Sequence, residues 1–260
     1  MRIGIISVFL TSIVFACAAD SEEQFFKWGF EDGKNFVYDM EQNGVITSLT
    51  SKDGSLYEGE SDIQSSLRFE SITDTSANMI MTIKEFIADG SEMNLPVNQF
   101  PAQELNDQGV FKNEGVDIVM NLLLRLPKKV LSQGDTDTLW FDIPCMVEDT
   151  VFYGYLSNVV MFDSVEEING DKCAVLSSTI KVISPRLPSD FNGVLTCSGE
   201  GLGEYYFSLD NGCFNSADVT FNMKMVMDIN GAESNFVEQD IFMDMQMDQH
   251  YNLSLTEIEQ

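Results

Sequence analysis

The sequence predicts an all-β fold, with antiparallel strands in curved sheets or a half-barrel and one helix between two similar halves. Three observations lead there. Near the carboxyl end, Val219, Phe221, Met223, Met225, Met227 and Ile229 occupy every second position, with Thr220, Asn222, Lys224 and Asp228 between them. Ile241, Met243, Met245 and Met247 then resume the alternation. Period two places an apolar set on one face of a pleated strand. The second observation is turn chemistry between apolar runs: Glu31-Asp32-Gly33-Lys34, Asn169-Gly170-Asp171 and Asp210-Asn211-Gly212. The third is an internal echo, since Phe69-Glu70-Ser71-Ile72 returns as Phe162-Asp163-Ser164-Val165, each followed by a turn and a strand.

Taken in order, Phe26, Trp28 and Phe30, then Phe36 and Tyr38, read as a first strand region folded at Gly33. Residues 41–66 are polar and punctuated by Gly44, Gly54 and Gly59, which suggests surface or edge strands. Leu67–Ile72 and Met79–Ile83 read as a hairpin around Asp74–Asn78. From Asp117 to Arg125 the spacing turns helical, with Val116, Val119, Met120, Leu123 and Leu126 on one side and Pro127 as the stop. Cys173–Val182 is the strand of the second copy, and Pro185 and Pro188 break the chain after it. Gly199, Gly201 and Gly203 precede a strand, so they ease curvature and do not cradle phosphate.

Tyr205, Phe207 and Leu209 then lead into the terminal hairpin, making a three-stranded meander. Keeping odd residues opposite odd residues requires a hairpin loop longer than Asn230-Gly231. Centring it on Ala232 pairs Met223 with Ile241 and Phe221 with Met243; Tyr205 would pair with Val219. The domain plan is an export signal at 1–18, then a single domain at 19–260. Its halves span about 25–115 and 139–257, joined by the helix-bearing segment 116–138.

Composition sets the address and removes some functions. Asp+Glu number 42 against 14 Lys+Arg, a formal charge of −28. Such a surface repels nucleic acid and anionic membrane. It acts first as a solubility surface, and second as an attraction for cations or basic partners. Arg2 followed by the apolar run Ile3–Ala16 is an export signal, too short to span a bilayer. Two processing routes compete: cleavage after Ala16-x-Ala18, or acylation of Cys17 in Val14-Phe15-Ala16-Cys17, which resembles a bacterial lipobox with Phe15 as a departure. The acylation route is favoured, with Asp20-Ser21-Glu22-Glu23 as tether. The expected location is the bacterial envelope, periplasmic or outer-membrane, with membrane association only through that anchor; without the anchor the chain would be secreted. Four cysteines remain, Cys145, Cys173, Cys197 and Cys213, an even count that in an exported chain suggests two disulfides. Free buried thiols are the competing reading.

The segment Leu126-Pro127, Gly134-Asp135 and Trp140, followed by Tyr205-Tyr206-Phe207, Asn211-Gly212 and the methionine strand, resembles an uncharacterised family of bacterial exported proteins. The resemblance runs from about residue 25 to 255. It implies an exported β-rich protein and nothing about chemistry, because its motifs are turns. The architecture is also similar, by analogy alone, to the half-barrels of lipoprotein carriers.

Three functional readings follow. Phe221, Met223, Met225, Met227, Met243, Met245 and Met247 would line a concavity for a hydrophobic ligand, since methionine adapts to irregular shapes. The plain alternative is that these residues simply fill a core. Six thioethers on one face would alternatively hold a soft ion such as Cu(I). A hydrolase with an unrecognised site is the third reading. It has only His250 to build on, with no H-E-x-x-H and no G-x-S-x-G. The sequence therefore leads to a non-catalytic binding or structural protein, needing no cofactor and no resident metal. Its expected partner is a lipophilic small molecule or another envelope protein.

Overall fold

The computed structural model describes residues 23–31, 33–51, 54–112, 118–148, 150–231 and 240–259. The expected export signal at 1–18 with Cys17, the helix candidates Val116 and Asp117, and residues 232–239 lie outside them.

Eleven strands form one antiparallel sheet: β1 (Asn35–Leu49), β2 (Tyr57–Thr73), β3 (Ser76–Ala88), β4 (Ser91–Glu92), β5 (Gln103–Asn106), β6 (Thr136–Val147), β7 (Thr150–Ile168), β8 (Asp171–Ile183), β9 (Val194–Ser208), β10 (Cys213–Ile229) and β11 (Ile241–Glu259). The order across the sheet is β4-β3-β2-β1-β11-β10-β9-β8-β7-β6, with β5 added to β3. The sheet curves without closing into a barrel, since β4 and β6 stand at opposite ends of that order. Among the described residues one helix, α1 (Ile118–Leu124), contacts β6. The Arg125 side chain, which leaves the end of the helix, donates to the Trp140 carbonyl of that strand.

Long strands follow from uninterrupted alternation. β6 reads exposed–buried through all its residues, from Thr136 to Val147. Strands of up to 19 residues twist strongly, and glycines relieve the twist where strands crowd. A Cβ on Gly199 or Gly201 of β9 would run into the carbonyl oxygens of Asn222 or Thr220 on β10. Substitution there would push two strands apart, so these glycines do ease curvature.

The concave face is filled at one end by a segment that is not part of the sheet. Phe26, Trp28 and Phe30 lie fully buried in extended chain outside the strands, tied by an isolated bridge from Gln24 to Leu131 and by the amides of Trp28 and Gly29, which donate to the Asp107 and Gly212 carbonyls. The first strand proper begins at Asn35, a correction to the strand expected at Phe26. The alternation there serves a plug: Phe26, Trp28 and Phe30 go into the core, with Phe25 exposed. Trp28 stacks on Phe69 and Phe30 at 5.1 and 5.6 Å, and meets Phe214 edge-on at 5.4 Å. Its indole N–H donates to the Leu124 carbonyl at the end of α1, 3.1 Å away. One side chain thus ties the plug to β2, β10 and the helix.

Other details differ from the sequence reading. Residues 41–49 are no edge, because β1 pairs with β2 on one side and β11 on the other. The terminal hairpin pairs Met223 with Met247 and Phe221 with Gln249, and its strands end at Ile229 and Ile241. Odd faces odd as the apolar stripe demands, but the loop is longer than one centred on Ala232. Tyr205 pairs with Ala217 and not with Val219. A register shift between Phe214 and Ser216 follows the turn, and such a bulge displaces every later pair.

Asp137 anchors the passage from helix to β6. Its carboxylate accepts from the Lys128 and Thr138 amides at 2.8 and 2.9 Å, and Lys129 Nζ stands 3.1 Å away. Burial raises its pKa, but these donors outweigh burial and hold the carboxyl below its ordinary 3.8. A depressed folded value means stability is present above the unfolded value and lost as pH falls through the folded one. Asp137→Asn should therefore cost about 1–3 kcal/mol at neutral pH and reduce the acid-side loss, read by urea unfolding from pH 7 to pH 3. Trp28→Ala should cost about 3–5 kcal/mol by the same measurement.

Candidate functional site

The methionine stripe lies on the concave face at the end opposite the plug. The register of β10 and β11 sets methionine against methionine in three successive inward rungs: Met223 with Met247, Met225 with Met245, and Met227 with Met243. On the outer sides of these rungs stand Gly199, Cys197 and Leu195 of β9, and Ile46 and Ser48 of β1. Of the seven residues marked by sequence, Phe221 and Met227 are buried, at 3% and 5% exposure. Met223, Met225, Met243, Met245 and Met247 are half-buried. Met223, Met225, Met243 and Met247 pack against the core cluster that includes Phe221 and Met227.

A band of polar side chains separates this end from the plug. Gln42 donates to Gln249 at 3.0 Å, and the Tyr251 hydroxyl donates to the same Gln249 oxygen at 3.1 Å. Further along the same inward rows, the buried Tyr205 hydroxyl donates to the Leu122 carbonyl at 3.1 Å. Polar groups buried this way need partners, and these are met by side chains and the helix terminus. The band closes the filled end and leaves the stripe on its far side.

A second, separate hollow of about 360 Å³ lies under β1, β2 and β3. It was missed from sequence, although Met79 and Met81 already alternated. Its roof comes from distant chain, Phe100 and the helix residue Met120, which no local pattern reveals. A third depression, about 750 Å³, crosses the outer face of the sheet and includes Asp62, Lys181, Glu200, Asn222 and His250. It is broad and open to water, and mixes these polar groups with Val45, Ile180 and Leu202. His250 sits there with Nε2 2.9 Å from Asp218, both roughly half exposed, as a solvated strand residue would.

The four cysteines are buried free thiols, a correction to the expected disulfides. Strand geometry explains it. Cys173 on β8 and Cys213 on β10 both pair with Ser208 of β9. They are therefore two strand spacings apart, about 9.5 Å, beyond the roughly 7 Å limit for a bridge. Cys145 on β6 and Cys197 on β9 have β7 and β8 between them in the sheet order, yet the curved sheet brings their thiols within electrostatic reach, and they are unbonded. Burial pushes the Cys197 thiol up to about 11 and the Cys213 thiol up to about 12, so neither is a ready nucleophile or ligand at neutral pH.

No protein-family model matches the chain, and no curated protein matches it. Among solved structures, the crystal structure of the hypothetical lipoprotein YmcC from Escherichia coli K12 overlaps 81% of this chain and 85% of its own. The identity is 11% and the TM-score 0.26. A likeness of that size carries no argument about what this chain does. Among the described residues no helix is long and apolar enough to cross a membrane.

Thiol chemistry checks the cysteine assignment. Without reductant, the native chain should leave Cys145, Cys173, Cys197 and Cys213 unmodified by iodoacetamide at pH 7.5. In urea all four should alkylate, each gaining one carbamidomethyl group by peptide mass spectrometry. Protection of a pair in urea would mean a disulfide.

Proposed function

We propose that this chain is an exported, non-catalytic protein of the bacterial envelope that holds a lipophilic molecule against its methionine-lined concave face. One observation carries the reading: five methionines of a paired hairpin stay half-buried, together with Ile46 and Ser48 of β1, on the face where β9 buries Leu195 and Cys197. Thioether side chains are flexible and polarisable, so they suit an apolar ligand of variable shape. The sole histidine faces outward and away from this surface, which favours holding over chemistry. The strongly acidic exterior favours a neutral or cationic ligand over an anionic one.

Met225→Asp and Met245→Asp place a charge in the middle rung, where partial exposure lets the fold tolerate it. Each should weaken binding of the neutral probe Nile red at least tenfold, with the far-ultraviolet dichroism unchanged. Wild-type affinity in both variants would remove the reading. Acylation of Cys17 is part of the same proposal. Mass spectrometry of the mature amino terminus should find diacylglycerol on Cys17, and a free terminus at Ala19 would replace the anchor with simple secretion.

A second reading rests on the same three rungs, because opposed thioethers suit Cu(I). Competition with bathocuproine disulfonate decides it: copper retained by the wild type and lost from Met225→Leu with Met245→Leu would favour the metal.

A further inference from the structure

We infer that the hollow under β1, β2 and β3 is a second binding site, built for one neutral single-chain lipid such as a fatty alcohol or an acyl ester. The inference shares the lipophile class proposed for the stripe, but none of the stripe residues lines this site.

Its floor is three adjacent strands and its roof is remote chain. Met40 of β1 lies opposite Ser65 of β2, and Met79 and Met81 continue the floor on β3. Phe100 closes over it, held by its amide to the Met81 carbonyl at 2.9 Å, and Met120 reaches it from α1. Packed interiors leave few voids larger than a water molecule. The hollow of about 360 Å³ is open beside the exposed Phe100, and in it water would stand against Met40, Met79, Ile63 and Ile83, apolar surface that a lipophilic ligand would cover. At roughly 30 Å³ per water-sized group, the space suits a chain of about ten to twelve methylenes.

The polar detail selects the ligand. Ser65 is 1% exposed, and its hydroxyl has no hydrogen-bond partner. A buried hydroxyl without a partner is costly and uncommon, so a ligand oxygen is the missing partner. The backbone is locally arranged for it. The β2–β3 register slips between Gln64 and Ser65, so that Ser65 faces Ile83 while Gln64 faces Glu85. Bulges of this kind re-aim side chains beside binding sites. No lysine, arginine or histidine lines the hollow, so a carboxylate would be buried without a counter-charge. A neutral head avoids that cost.

The test uses the full chain with ¹³C-methyl methionine, titrated with 1-decanol and assigned by single Met→Leu variants. The signals of Met40, Met79, Met81 and Met120 should move together and saturate at one equivalent. Ser65→Ala should weaken 1-decanol about tenfold and raise the Tm of the ligand-free chain, because it removes an unsatisfied hydroxyl. Movement confined to the methionines at 223–247 would overturn this site and leave the stripe reading standing. An unmoved spectrum would overturn both. Equal 1-decanol affinity in Ser65→Ala would overturn the role of the hydroxyl and, with it, the choice of an oxygen-bearing ligand.

Discussion

The fold depends on Trp28 being buried from a segment that contributes no strand. A long curved sheet has more concave surface than its own side chains fill, and apolar area left wet would forfeit the main driving force for folding. Phe26, Trp28 and Phe30 supply the missing volume at one end. Backbone contact fixes the depth of the plug: the Gly29 amide donates to the Gly212 carbonyl at 2.7 Å, and a Cβ on Gly29 would meet the Asn211 carbonyl. Gly212 itself adopts a φ of 65°, which a glycine takes without strain. The plug, the turn between β9 and β10 and the helix end at Leu124 are therefore positioned by one set of contacts.

With that end closed, the rest of the concave face divides by chemistry. The Gln42–Gln249–Tyr251 network consumes buried polar groups across the middle of the sheet. Beyond it the inward positions turn to methionine. Of the 14 methionines in the chain, six stand on the hairpin rungs and four line the hollow under β1–β3. A residue that packs loosely and adapts is a poor choice for specifying a rigid core and a good one for a surface that must yield. The plug uses the opposite chemistry, rigid rings in edge and stacked contacts. The plug is built to be solid, and the stripe beyond it and the hollow beside it to be accommodating.

How far the sequence foretold this depends on the range of the interaction involved. Strand identity and facing are local, so the alternation from Val219 to Met247 placed every stripe residue on the inward side. Parity of the register followed too, because a slip of one would have turned the stripe outward. The offset did not follow, since loop length and the shift at Phe214–Ser216 depend on contacts outside the hairpin. Phe26–Phe30 alternates like a strand although it is a plug, as extended chain has the same period whether or not it finds hydrogen-bond partners. The hollow was hidden for a stronger reason: Met81, Phe100 and Met120 meet only through the tertiary fold.

The cysteines show why composition alone misled. An even count in an exported chain argues for bridges, yet a bridge needs Cα atoms within about 7 Å. Antiparallel register quantises lateral distance in steps of about 4.8 Å, so cysteines two strands apart in one row are excluded however well their side chains face each other. Cys173 and Cys213 share the row through Ser208, which lets them be buried neighbours without being bonded. Cys173 instead accepts from the Asn215 amide at 3.1 Å. A thiol held this way behaves as a small apolar group with a weak acceptor. Cohesion then falls to apolar burial and the plug. The stability of this sheet rests on how completely Trp28 and its neighbours exclude water, with no cross-link among its described cysteines.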